Sequence, residues 1–175
     1  MDQLAALEIL AVDHVGIAVP DLPAAIEFHT GTLGGVLEHT EHNDEQQIDE
    51  AMIAFGDGAR IQLIAPAGPD STIAKFLDRS GPGLQQLAYR VPDVRAAADA
   101  LRRRGVRLLY PEPRRGPAGS LINFVHPKDA GGVLVELVQA GPGGPERGSA
   151  AASDQDGFAR GASRHNALGD GTMAP

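Results

Sequence analysis

The chain has no cysteine, no tryptophan and few aromatic residues of any kind. Without cysteine there can be no disulfide, no thiol nucleophile and no thiolate metal ligand. That composition suits a reducing, cytoplasmic setting. No uninterrupted apolar run approaches the length needed to span a bilayer, so a membrane partner is not expected. The opening stretch "MDQLAALEILAVDHVG" has neither a basic n-region nor a long apolar core, which predicts no signal peptide. Positive charge is in deficit. The net charge is −8, and a nucleic-acid backbone is therefore not an expected partner. What is present, in 175 residues, fits one domain of ordinary size or two small modules sharing a core.

Residues 9–19, "ILAVDHVGIAV", read as a strand. Pro20-Asp21 then opens a helix with Asp21 as N-cap. Leu22, Ile26 and Leu33 fall near one helical face, and Gly34-Gly35 ends the segment. Strands follow over 36–43, 48–55 and 59–65, the last two joined by a turn at Gly56-Asp57-Gly58. Residues 71–79 form a short amphipathic helix, capped by Ser71 and stopped by Gly81.

The pattern then restarts. "DHVGIAVPDLPAAI", from Asp13, lies over "QQLAYRVPDVRAAA", from Gln85, with Val19-Pro20-Asp21 on Val91-Pro92-Asp93. "RIQLIAP", from Arg60, lies over "LVELVQA", from Leu134. The chain thus carries two copies of a strand–helix–strand–strand–strand unit, and the copies must pair to bury their sheets. The organisation is one α+β domain over 9–140: module 1 over about 9–68, a linker helix at 71–80, and module 2 over about 82–140. Residues 141–175 are rich in Gly, Ala and Ser, poor in apolar content and without a period, which predicts a disordered C-terminal tail.

The overlay carries chemistry as well as fold. His14 falls on Gln86, and Gln62 on Glu136. Four nitrogen or oxygen donors therefore occupy two pairs of equivalent strand positions, and a pseudo-twofold axis would bring them toward one point. Taken singly, His14, Gln62 and Gln86 read as hydrogen-bonded strand residues. Strict alternation sends Gln85 and Gln86 to opposite faces, so only one of the two amides points inward. Glu136, within "GVLVELV", is costly to bury without a cation or a proton. Together the four form a candidate site for a divalent cation, with oxygen and imidazole donors suited to an octahedral ion. Four protein ligands leave two positions for a chelating substrate.

Glu50 is a further candidate. It shares a strand face with Met52 and can point into the interior of the curved sheet, whereas Glu45 and Asp49 stay in water. Two carboxylates on opposite sides of a carbon acid suit proton removal and return. His29, His39, His42 and His165 carry less. Arg102-Arg103-Arg104 ends a helix, where cations suit the dipole. Residues 113–120 read as a flexible loop at the rim of the sheet.

The motifs "DHVGIAV", "DEQQIDEAM", "IQLIAP", "STIAKFLDRSGPGLQQLAYRV", "GVRLLYPEPRRG" and "INFVHPKDAGGVLVELV" closely resemble the methylmalonyl-CoA epimerase family. That family sits in the vicinal oxygen chelate superfamily, with the glyoxalases and bleomycin-resistance proteins. The resemblance covers residues about 11–140. It implies two paired βαβββ modules forming a cup-shaped mixed sheet around a divalent metal ion, cobalt being the expected one. His14, Gln62, Gln86 and Glu136 match metal-ligand positions, with Gln86 standing where many members have histidine. Glu50 matches the first catalytic acid–base, and Glu136 serves as both ligand and second base. The implied reaction interconverts the R and S epimers of methylmalonyl-CoA at C2 by two-carboxylate proton transfer through a metal-stabilised enolate. An acyl-CoA is thus the expected small-molecule substrate, and a homodimer the expected assembly. Two other readings stay open: a glyoxalase-type lyase or isomerase, and a non-enzymatic small-molecule binding protein.

Overall fold

The two Val-Pro-Asp stretches do the same work in both copies. Each ends a strand and caps the helix that follows. Asp21 accepts a hydrogen bond from Ala24 N at 2.9 Å, and Asp93 accepts from Arg95 N and Ala96 N at 2.8 and 3.0 Å. Such caps contribute about 1 kcal/mol each.

The structure is a computed structural model that describes residues 7–56 and 58–142. Eight strands and three α-helices follow one another: β1 (Ala11–Ala18), α1 (Leu22–Glu27), β2 (Val36–Asn43), β3 (Ile48–Phe55), β4 (Ala59–Pro66), α2 (Thr72–Ser80), β5 (Gly83–Arg90), α3 (Val94–Arg103), β6 (Arg114–Arg115), β7 (Leu121–Val125) and β8 (Leu134–Gln139). They form one mixed sheet in the order β2-β3-β4-β1-β5-β8-β7-β6, curled into a half-barrel. One half of this order is the first copy and the other half the second. Within the copies β1 runs parallel to β4, and β5 parallel to β8. The antiparallel pair β1–β5 joins the halves.

Alternation along each strand separates two faces. Ala51, Ile53, Leu63 and Ala65 are buried on the face that Leu22, Ala25 and Ile26 of α1 cover. Leu137 and Val91 are buried against Val94, Ala97 and Leu101 at α3. The opposite residues of the same strands, Glu50, Met52, Gln62 and Glu136, are also buried, on the concave face. Helix α2 closes one end, with Ile73 packed on Ala18, Ile48 and Ile64. It is capped by Ser71 and ended by Gly81, whose φ of 72° only glycine adopts without strain.

Several expectations need correction. Helix α1 is α-helical only to Glu27 and then widens into a π-helical turn over Phe28–Thr32. The wider turn rotates later residues off the apolar face, so Leu33 is 52% exposed instead of packing with Leu22 and Ile26. The second copy is not a full replica, because its second strand, β6, has only two residues. Residues 113–120 are not a free loop. They contain β6 and a short turn over Pro117–Gly119, with Ala118 at a φ of 50°. The guanidinium of Arg114 stacks 3.9 Å from the Tyr110 ring centroid and reaches Glu45 at 3.1 Å, which ties this segment to the β2–β3 hairpin. Arg102, at the end of α3, also donates to the carbonyls of Tyr110 and Pro111. Asp57, His165 and the tail from 143 onward lie outside the described residues.

Candidate active site

Two β-bulges shape the site. The β1–β5 register pairs Val12 with Tyr89 and then His14 with Ala88, leaving Asp13 as the extra residue. It pairs Gly16 with Gln86 and then Ile17 with Leu84, leaving Gln85 as the extra residue. Asp13 and Gln85 are repeat equivalents, so the bulges obey the same pseudo-twofold axis as the sheet. A bulge breaks strict alternation and re-aims its side chain. That is why Asp13 and His14, although adjacent, are both buried. It also corrects the reading of the two glutamines: Gln86 is buried, and Gln85 lines the same cleft.

Between the bulges the small residues Gly16 and Ala88 make room. Gly16 has Gln62 beside it on β4 and Gln86 on β5. Ala88 has Glu136 beside it on β8 and His14 on β1. The four donors thus surround two residues with little or no side chain. They are 5%, 5%, 8% and 3% exposed for His14, Gln62, Gln86 and Glu136. At these values solvent cannot supply their hydrogen bonds, and they must satisfy one another or a ligand.

They do so in a chain. Gln62 Nε2 donates to Glu50 Oε2 at 2.7 Å, while Gln62 Oε1 accepts from Gln86 Nε2 at 3.1 Å. Gln86 Nε2 also donates to Glu136 Oε2 at 2.6 Å, and His14 Nε2 lies 3.3 Å from that same oxygen. On its other side, His14 Nδ1 meets Asp13 Oδ1 at 3.0 Å. Asp13 Oδ2 accepts from Arg90 Nε at 2.7 Å, and Asp13 Oδ1 is also held by Arg60.

This geometry sets the proton affinities. Burial, then the charges of Glu41 and Glu136, push Glu50 up to about 7. Burial alone would lower His14, but its contacts with Asp13 and Glu136 outweigh that and raise it to about 9. Burial alone would raise Asp13, but His14, Arg60 and Arg90 hold it well below the usual carboxylate range. A carboxyl group held near neutrality can accept or give a proton with little free-energy penalty either way.

The donor set fits a divalent cation. His14 Nε2 is buried without a hydrogen-bond partner and faces a carboxylate oxygen, with two amide groups adjoining. Among the described residues there is no cluster of three or more His, Cys, Asp or Glu that could hold a metal, because two of the four donors here are amides. A cleft of about 750 Å³, open to solvent, leads to this point. Its lining includes the polar Gln62, Gln86 and Glu136 and the apolar Leu109, Ile122 and Phe124.

Three other residues of the concave face, and Asn123 on the face that α3 covers, had not been singled out in the sequence. Arg60 stands two residues before Gln62 and Arg90 four after Gln86, so the period of a strand already placed them on the donors' face. Asp13 gave no such signal, because only its bulge turns it inward. Asn123, fully buried, pins Tyr110 at the rim by accepting from Tyr110 N at 3.3 Å and donating to Tyr110 O at 3.1 Å. His29 donates to or accepts from nothing in the cup; its Nδ1 meets Ala25 O. His42 pairs with Asp44 and Asp49 at the surface. His39 lines a second hollow behind His14.

A half-barrel of two βαβββ copies with a buried His–Gln–Gln–Glu set on its concave face defines a class. The chain belongs to the Glyoxalase/Bleomycin resistance protein/Dioxygenase superfamily, which matches it over residues 13–124. Within that class its likeness is to epimerases. It superposes on the crystal structure of methylmalonyl-CoA epimerase from Mycobacterium tuberculosis with a TM-score of 0.75 and 56% identity, over 79% of this chain and 92% of that one. It is 38% identical to the ethylmalonyl-CoA/methylmalonyl-CoA epimerase of Cereibacter sphaeroides over 130 residues, covering 73% of this chain and 96% of the relative. A second structure, a methylmalonyl-CoA epimerase in complex with methylmalonyl-CoA and NH4+, matches with a TM-score of 0.72 and 45% identity, over 76% of this chain and 96% of that one.

Proposed function

We propose that this chain epimerises methylmalonyl-CoA at C2, with Glu50 and Glu136 as the two acid–base groups and a divalent cation held by His14, Gln62, Gln86 and Glu136. One observation carries the reading. Two buried carboxylates, one from each copy, stand at the two ends of a short amide chain, Glu50–Gln62–Gln86–Glu136. Epimerisation needs a proton taken from one face of a carbon and another given to the opposite face. A single fixed carboxylate returns its proton to the face it came from; two carboxylates from opposite halves of the sheet do not have that restriction.

The residues divide the work. Glu50, buried and held near neutral, takes up or delivers the C2 proton on its side. Glu136 does the same from the second copy. Gln62, through its Nε2, fixes the Glu50 oxygen it donates to. The apolar wall of Leu109, Ile122 and Phe124 excludes water from the reacting carbon. A divalent cation at the four donors supplies Lewis-acid stabilisation of the negative charge that develops when the acidic carbon loses its proton. Cobalt is the metal we propose.

The likeness to epimerases, all three named for methylmalonyl-CoA and one of them also for ethylmalonyl-CoA, supports an acyl-CoA thioester as the substrate class. Among the described residues no helix is long and apolar enough to cross a membrane. The lack of cysteine supports a cytoplasmic setting. Edge strand β2 leaves Val36 and Leu37 exposed, which supports self-association as a homodimer.

The deciding experiment incubates each separate epimer of methylmalonyl-CoA with metal-loaded protein in D2O and follows C2 by NMR. Inversion with deuterium uptake is the expected result. Turnover of a glutathione hemithioacetal in its place would move the assignment to the glyoxalase-type reading. Binding of either compound without turnover would move it to a non-enzymatic small-molecule binding protein.

A further inference from the structure

The proton-transfer chemistry leaves three charged side chains behind His14 without a role, two of them buried and Arg60 half-buried. Asp13 on β1 is 3% exposed, and its side chain spans to both neighbouring strands. Arg60 comes from β4, in the same copy. Arg90 comes from β5, in the other copy, and its Nη2 reaches Asp13 Oδ2 at 2.5 Å. Arg60 also reaches Glu38 at 3.4 Å.

Stability alone does not account for this cluster. Burying a carboxylate with two guanidinium groups costs desolvation free energy, and well-packed apolar residues of the same volume hold a fold as well or better. The cluster also occupies a β-bulge, whose effect is to turn Asp13 inward next to His14. What the cluster touches is the far side of one imidazole. His14 Nδ1 is bonded to Asp13, while His14 Nε2 is buried without a hydrogen-bond partner. An imidazole bonded to a carboxylate at one nitrogen, and at the other facing only Glu136, a fellow donor of the cation site, has the arrangement of a metal ligand backed by a carboxylate.

The second copy offers a comparison within the same molecule. There the donor equivalent to His14 is Gln86, and the bulged residue equivalent to Asp13 is Gln85. The residue equivalent to Arg90 is Ala18, and that equivalent to Arg60 is Leu134. An amide donor has no ring nitrogen to be assigned a proton, and its backing position carries no charged pair. The charged backing occurs in the copy whose donor is a histidine.

We infer that Asp13, clamped by Arg60 and Arg90, is the positioning residue for His14: it accepts the Nδ1 proton and so presents the Nε2 lone pair to the cation site. The two arginines act through Asp13, and Arg90 makes the second copy orient a ligand of the first. This inference rests on the cation site proposed above.

The test uses full-length protein and Co2+ as the probe, in a double-mutant cycle of Asp13→Asn and His14→Ala. Asp13→Asn is expected to weaken Co2+ binding about 10- to 100-fold on the wild-type background. On the His14→Ala background it is expected to change nothing. The NMR spectrum of the Co2+-loaded wild type should show a shifted, slowly exchanging imidazole N–H, lost in Asp13→Asn. Arg90→Met should show the same coupling to His14, with Arg90→Lys recovering part of the affinity; this second cycle serves equally if Asp13→Asn does not fold. An equal loss on both backgrounds would mean a general structural effect and would overturn the inference. So would unchanged affinity in Asp13→Asn and Arg90→Met. Wild-type protein that takes up no Co2+ would overturn the cation site and this inference together, whereas tight wild-type binding with no coupling overturns the inference alone.

Discussion

Gly16 and Gln86 meet across the β1–β5 pair so closely that a Cβ on Gly16 would stand 2.5 Å from Gln86 Cγ and 3.1 Å from its Cδ. The glycine is there to leave room, not to supply an unusual backbone. Gly16→Ala should therefore displace the Gln86 amide from both Gln62 and Glu136. The expected cost is about 1–3 kcal/mol of stability, as for other overpacked interiors. Cation affinity should fall with it. Chemical denaturation and a metal titration on the same variant measure both; an unchanged midpoint and affinity would mean that Gln86 has space to move aside.

Glu50→Gln keeps the shape of the side chain and removes its base. Epimerisation should drop by about 10²–10⁴-fold, the range expected for a positioned acid–base group. The variant should still exchange the C2 proton of one epimer with D2O through Glu136, with retention of configuration. NMR of each separate epimer reads both outcomes. Undiminished inversion would remove Glu50 from the mechanism.

The metal-free protein should lose stability as pH rises through neutrality. In the unfolded chain Glu50 releases its proton near 4.5; in the folded protein, burial and the charges of Glu41 and Glu136 delay release until about 7. The folded state binds more protons in between, so the contribution of Glu50 is full below 4.5 and is lost as pH rises through 7. The slope is about 1.4 kcal/mol per pH unit for a single group. Glu50→Gln should flatten that part of the profile. Melting temperatures of both metal-free proteins from pH 4.5 to 8 test it, and parallel profiles would contradict it.

Cation uptake should release protons. In the metal-free protein, burial is outweighed by the contacts of His14 with Asp13 and Glu136, which raise it to about 9. A histidine must be neutral to ligate. For one released proton, apparent affinity should fall about tenfold for each unit that pH drops below 9. Calorimetric titration in buffers of different ionisation enthalpy counts the protons. In His14→Ala this contribution should vanish.

Much of the fold was legible in the sequence. The repeated Val-Pro-Asp caps, the period-two strands and the turn glycines are local signals, and a strand or capped helix forms largely from such signals. The duplication also carried long-range information, since two copies with matching apolar faces have few ways to pair. The order of four strands from each copy follows from it. The donor set His14, Gln62, Gln86 and Glu136 came from the same overlay, because equivalent positions in a symmetric pair meet at the axis.

Other features depend on contacts between residues far apart, and these only the tertiary structure decided. Register across β1–β5 creates the bulges at Asp13 and Gln85; no local pattern marks them, and each reverses the face that alternation assigns. The ion cluster follows from the first bulge, since Arg90 stands 77 residues from Asp13 along the chain. The elevated proton affinity of Glu50 depends on how deeply β3 is buried and on Glu41 standing opposite it on β2. The tie from Arg114, on the two-residue β6, to Glu45 depends on a hairpin of the other copy. The sequence alone determined which residues could act, by their type and their period. Which of them stand together, and with what charge, was decided by strand register and burial, because those energies exist only once distant segments have packed.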